Sequence, residues 1–268
     1  MRFKLKLELQ GEPPYVMPAN YQYELAECIN KIIHFDDKAF SQKLEKDGYL
    51  NENKQFDFFS FSSLDLKNHR QEEDRLITDE PEADMLFSIL VDDDIGQHAA
   101  KLFTGKEMRF GDKKNKISLK VKSADLQPEP KFSGSMDFKL LSPLLITDDS
   151  GGNRNIFNNK TKILSPDDKE YERLFIKSLM TKYALLMKSV KSGFASTINS
   201  NFSKLKFKCT SKPVSKIIRI NSENSKPVSV KGYLFDFNLT APEELIKLGY
   251  YSGFGEYNNY GFGFCISR

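Results

Sequence analysis

The sequence predicts an α+β fold built from two successive βαββαβ modules, and three observations predict it. Apolar residues alternate with the period of a strand and then recur with the period of a helix, in the same order twice along the chain. The stretch Gln127-Pro128-Glu129-Pro130 separates the two runs, because consecutive X-Pro steps hold a chain extended. A length of 268 residues is long for one compact domain and comfortable for two. The expected division is residues 1–126 and 131–268, each ferredoxin-like (RRM-like).

In the first module, Arg2 to Leu9 puts Phe3, Leu5, Leu7 and Leu9 on one face of a strand. A helix is expected from about Tyr21 to His34, with Leu25, Cys28, Ile29, Ile32 and Ile33 as its apolar stripe. A short helix follows at Lys38 to Lys46, then strands at Phe56 to Leu66 and Met85 to Val91. The acidic run Gln71 to Asp84 reads as a loop. A helix at Ile95 to Phe103 and a strand at Lys116 to Lys122 complete the module. The second module opens with a strand at Ser135 to Thr147. Ser165-Pro166-Asp167-Asp168 reads as the start of a helix reaching Lys188. Two long strands are expected, Phe202 to Ile220 and Val228 to Leu239. Thr240-Ala241-Pro242-Glu243 reads as a capping box for a helix that stops at Gly249. A strand at Tyr260 to Ile266 ends the chain.

The composition is that of an ordinary globular protein, 29% charged and 39% hydrophobic. No apolar run approaches the ~20 residues of a membrane span, and the N-terminus has a strand pattern where a signal peptide would be apolar. Cys28, Cys209 and Cys265 are far apart and form no metal-ligand or disulfide pattern. A cytoplasmic protein without a metal or cofactor is expected. The net charge of +3 hides an asymmetry. Residues 1–125 carry 19 basic and 24 acidic residues, and the remainder carry 21 and 13. From Lys188 to Lys231 there are ten basic residues and one acid, Glu223. Such a stripe fits a polyanion, and a solvated surface is its plainer reading.

Gly253-Phe254-Gly255-Glu256-Tyr257-Asn258-Asn259-Tyr260-Gly261-Phe262-Gly263 is the most informative segment. Its glycines suit close approach of backbone to a phosphate, or a hairpin packed under aromatics. It follows a helix and precedes a strand, the reverse of a nucleotide-binding fingerprint. The run Gly249 to Gly263 resembles the C-terminal glycine-rich signature of the CRISPR repeat-processing endoribonucleases of the Cas-six type. Phe132-Ser133-Gly134-Ser135, Leu141-Ser142-Pro143-Leu144, the first strand and Gln22-Tyr23-Glu24-Leu25 resemble the family too.

The resemblance implies two ferredoxin-like domains that bind CRISPR repeat RNA and cut it without a metal. The 2′-hydroxyl attacks the adjacent phosphate and leaves a 2′,3′-cyclic phosphate. Effector-complex subunits are implied partners, and a homodimer is compatible. That chemistry needs a base, an acid and cations. Counted from Leu25, Tyr23, Asn30 and His34 fall at about 160°, 140° and 180°, opposite the apolar stripe. His34 is the first choice as base, with Tyr23, Lys38 and Lys46 as further candidates. Against one archaeal type, the family's helical tyrosine aligns with Asn30 and its histidine with Glu45. Three readings stay open: His34 replaces the usual base, lysines with Tyr23 act without histidine, or the chain binds RNA without cutting. His69 and His98 read as surface residues. The expected RNA-binding set is Gly253, Gly255, Asn258, Asn259, Gly261 and Gly263 in the loop. Lys204, Lys206, Lys208, Lys212, Lys216, Arg219 and Lys231 join it as a continuous basic surface.

Overall fold

The structure is a computed structural model that describes residues 1–46, 58–91, 93–112, 115–148, 156, 161–189, 205–220 and 228–268. The first half contains β1 (Arg2–Leu9), β2 (Tyr15–Pro18), α1 (Gln22–Phe35), α2 (Lys38–Lys46), β3 (Phe59–Phe61), β4 (Asp65–Leu66), β5 (Arg70–Glu72), β6 (Arg75–Thr78), β7 (Glu82–Ile89), α3 (Asp93–Phe103), β8 (Glu107–Gly111) and β9 (Lys116–Leu126). Its main sheet is antiparallel in the order β3-β7-β1-β9-β8. Without the edge strand β8, that is the order of a ferredoxin-like module. Phe3, Leu5, Leu7 and Leu9 are all buried in the core, as the period-two pattern requires.

The second half contains β10 (Ser135–Leu140), α4 (Tyr171–Ser189), β11 (Lys206–Cys209), β12 (Val214–Ile220), β13 (Val228–Leu234), β14 (Asp236–Thr240), α5 (Glu243–Ser252) and β15 (Cys265–Ser267). Its sheet runs β11-β14-β10-β15, the same order again. The chain is therefore a tandem ferredoxin-like α+β protein. Its two sheets share one continuous apolar core. Arg2 fastens them: its buried guanidinium donates to the carbonyls of Cys265 and Tyr250, each at 2.7 Å, and lies 3.5 Å from the centroid of the Tyr250 ring.

The structure corrects several boundaries. The acidic run is not a loop. It forms the hairpin β5–β6, and β2 pairs with β6 along its other edge. The short strand β8 goes unread in the sequence. Neither long strand of the second half is continuous. Each splits, so that β11 and β14 stay in the sheet while β12 and β13 leave it as a separate hairpin. Pro213, at the break before β12, has no N–H to extend a ladder. Ser165 to Glu170 form turns, with the Ser165 N–H donating to Asp168 Oδ2 at 2.8 Å, and α4 begins only at Tyr171. Thr240 does not cap α5. It is held in β14, where its hydroxyl meets that of Ser135 at 3.2 Å, and Pro242 occupies the cap position. The helix continues through Gly249 to Ser252, and the residue there is glycine because the Phe254 ring leaves no room for a Cβ. The expected last strand, Tyr260 to Ile266, shortens to β15: Tyr260 closes a tight turn, and Gly261 and Gly263 take left-handed φ values that no strand allows.

Candidate nucleic-acid interface and catalytic corner

The glycine-rich segment, expected in the RNA-binding set, is interior. Every residue from Ser252 to Asn259 is buried, and Asn258 and Asn259 are 0% and 1% exposed. The segment folds back on itself. The Phe254 N–H donates to the Gly263 carbonyl at 2.9 Å, and the Gly263 N–H donates to Pro143 at 2.8 Å. The Asn258 side-chain amide donates to the carbonyls of Phe254 and Phe262, both at 2.9 Å. Its oxygen accepts from Lys182 Nζ at 2.5 Å, and Lys182 also donates to the Gly253 carbonyl at 2.6 Å. Gly263 has φ +73°, and a Cβ there would collide with the Phe254 carbonyl. Gly255, at the same φ, would press a Cβ onto the Leu145 carbonyl. The glycines therefore serve backbone-to-backbone packing. The side chains of Asn258 and Asn259 are not presented to a base.

Lys182 was not singled out in the sequence. The residue is 1% exposed, and burial lowers its pKa to about 7, with Glu256 opposing the shift. Glu256 is buried as well and accepts from Thr147 Oγ1 at 2.6 Å.

Helix α1 docks on this segment, with Asn30 and Tyr23 on the face opposite its core stripe and Gln22 on the stripe itself. Asn30 Nδ2 donates to the Asn259 carbonyl at 3.0 Å, and Gln22 Nε2 donates to the Gly261 carbonyl. Tyr23 stacks on Tyr260, with centroids 5.8 Å apart and planes 6° from parallel. Burial, then Glu27 and Glu24, raise the Tyr23 pKa, so its hydroxyl stays protonated at neutral pH. Eleven residues separate Tyr23 from His34, a rise of about 16 Å along the helix. The structure does not bring these two candidates to one phosphate.

His34 is half-buried in the last turn of α1. The chain turns sharply there into α2, and chemistry-bearing groups gather at the corner. Lys38 is exposed at the start of α2. Asp37 caps α2 by accepting from the Phe40 N–H at 3.0 Å, and its other oxygen meets His98 Nε2 at 2.9 Å. These two bonds, that to Phe40 first, lower the Asp37 pKa. His98, read in the sequence as a surface residue, thus stands at the same corner, stacked on Phe40 at 5.2 Å. Lys46 lies at the end of α2, and its side chain is outside the described residues.

The basic residues of the second half divide between two surfaces where one was expected. Lys206 and Lys208 are exposed on one face of β11. Lys212 is exposed in the turn that follows. Arg219 and Lys231 are exposed on the outer face of the β12–β13 hairpin, while Lys216 is half-buried on its inner face, where desolvation lowers its pKa. Lys204 is outside the described residues. The hairpin packs its inner residues Ile218, Ile220, Val228 and Val230 on Tyr257 and Phe262. Asn20 fixes it to the start of α1, donating to the Ile217 carbonyl at 3.0 Å and accepting from the Arg219 N–H at 2.8 Å. Among the described residues, none of Lys206, Lys208, Lys212, Lys216, Arg219 and Lys231 makes an ion pair. In the first sheet, by contrast, Lys4, Lys6 and Lys122 pair with Asp84, Asp125 and Glu8.

The family described as "CRISPR associated protein Cas6, C-terminal" matches residues 127–266, more than half of the chain. The chain belongs to the Cas6 family. The Cas6 1 endoribonuclease of Methanocaldococcus jannaschii is 26% identical over 268 residues, covering 98% of this chain and 92% of that protein. A solved Cas6 protein superposes with a TM-score of 0.72 at 24% identity, over the whole of both chains. The product of a Cas6-related gene from Pyrococcus furiosus gives 0.74 at 19%, covering 100% of this chain and 98% of the other. These superpositions establish the fold, and the matched residues 127–266 contain the whole glycine-rich segment. Among the described residues, no helix is long and apolar enough to cross a membrane.

Proposed function

We propose that this Cas6 protein binds CRISPR repeat RNA in precursor transcripts and cuts it once per repeat, without a metal. The carrying observation is the α1–α2 corner. His34, Lys38 and an Asp37-oriented His98 stand around one turn of chain, beside the helix that docks on the glycine-rich segment. An imidazole removes the proton of the 2′-hydroxyl. The freed oxygen forms its bond to phosphorus as the bond to the 5′-oxygen breaks. A second proton donor protonates the departing 5′-oxygen, and Lys38 offsets charge on the phosphorane oxygens. The products are a 2′,3′-cyclic phosphate and a 5′-hydroxyl. His34 is the base in this reading, and Asp37 orients His98 as the acid. The cations free of ion pairs on β11 and on the hairpin hold the phosphate chain. The division at 126 and 131 belongs to the same reading, with the chemistry on the first unit and most of the cationic grip on the second.

A second reading, a repeat-binding protein that does not cut, is favoured by one observation. Where an archaeal type carries a tyrosine, this chain carries Asn30, and that amide is spent on the Asn259 carbonyl. Incubating the pure protein with end-labelled repeat RNA in EDTA separates the two. A single cut ending in a cyclic phosphate supports the enzyme; tight retention of intact RNA supports the binding protein.

A further inference from the structure

Phe35 is the last residue of α1 and is 73% exposed. Among the described residues it is the one exposed Phe or Tyr; every other such ring is buried or half-buried. It belongs to neither apolar cluster. Its backbone is held on both sides. α1 runs into it, Asp36 beyond it pairs with Lys106 at 2.9 Å, and Asp37 caps α2. The ring is thus presented from a fixed corner. Its centroid is 6.1 Å from that of the His34 imidazole. Lys31, one helical turn earlier, and Lys38, three residues later, are both exposed, and among the described residues neither makes an ion pair. An apolar ring facing water between two such cations matches a nucleotide. A base has a π-face to stack on the ring, and its phosphates meet the ammonium groups.

We infer that Phe35 is a stacking platform for an unpaired nucleobase next to the phosphate that is cut. The inference rests on the proposed function for the identity of the ligand and adds a binding residue to it. Stacking a splayed base beside His34 unstacks the RNA at that step. The 2′-hydroxyl then has room to line up with the 5′-oxygen that leaves. The platform reads the flatness of a base and accepts any of them, so specificity for the repeat lies elsewhere.

The chain has no tryptophan, so Phe35→Trp supplies a single fluorescent reporter. Because Phe35 lies outside both apolar clusters, the substitution leaves the fold intact, which circular dichroism checks. Titration with repeat RNA in EDTA is expected to quench the Trp emission along the same curve that an electrophoretic shift gives for binding. Phe35→Leu keeps an apolar side chain without a π-face and is expected to weaken binding about tenfold, while Phe35→Tyr restores it. Unchanged emission at RNA concentrations that saturate the shift overturns the platform and leaves the ring to a protein partner. Wild-type affinity in Phe35→Leu overturns it as well. Quenching on RNA that remains uncut supports the platform and removes the cleavage reading. Failure of the wild-type protein to retain repeat RNA overturns both.

Discussion

Lys182 shows how one side chain can hold a segment in place. Its ammonium group ties the Gly253 carbonyl to the Asn258 side chain, and Asn258 in turn ties Phe254 to Phe262. Lys182→Met keeps much of the bulk but strands two buried acceptors, at a cost of about 2–4 kcal/mol in denaturant unfolding. The pH dependence has a definite sign. The folded pKa, near 7, is below the ordinary value of 10.5. Between those values the unfolded chain binds a proton that the folded chain does not, so this group makes stability rise with pH. From pH 7 to 9, the stability of the wild type measured relative to Lys182→Met is expected to rise by about 2 kcal/mol. A constant difference contradicts the assignment. The signal for Lys182 was present in the sequence, since it falls on the same helical stripe as Phe175, Ser178, Leu179 and Leu186. His98 offered no such signal, because Asp37 lies 61 residues away and only the fold brings the two together.

The elements were legible where one buried face sets the period. β1, α1 and α2 are read from the sequence almost to the residue. The outward face of α1 was also legible, but not its covering, because periodicity reports that a face is polar without saying what lies on it. Asn30 faces a backbone carbonyl instead of water. Glycine spacing cannot distinguish a phosphate cradle from a keystone, since both need close backbone approach. In the structure these glycines make backbone-to-backbone contacts, which favours the keystone, and a prediction follows. Gly255→Val, with a Cβ against the Leu145 carbonyl at a left-handed φ, is expected to lose at least about 3 kcal/mol of stability. Any loss of RNA affinity should then track loss of fold. Urea unfolding and RNA binding measured on the same preparation test this. A variant of wild-type stability that no longer binds RNA would return the segment to the RNA surface.

Across the whole molecule, charge was the legible quantity and its distribution in space was not. The excess of basic residues after Lys188 is plain in the sequence, but the departure of the β12–β13 hairpin from the sheet splits it into two surfaces. If both grip one strand of RNA, the logarithm of affinity falls with the logarithm of salt by about 0.7 per phosphate neutralised. Replacing Lys206, Lys208 and Lys231 together by alanine is expected to lower that slope by about 2. An unchanged slope would remove these cations from the interface. The corner between α1 and α2 supplies the chemistry that such binding would serve. Single-turnover cleavage of repeat RNA at saturating protein, in EDTA at pH 7, tests that corner most directly. The wild type is expected to make one cut, and His34→Ala to make it at least about 100-fold more slowly with affinity nearly unchanged. Cutting by His34→Ala at the wild-type rate would contradict the assignment.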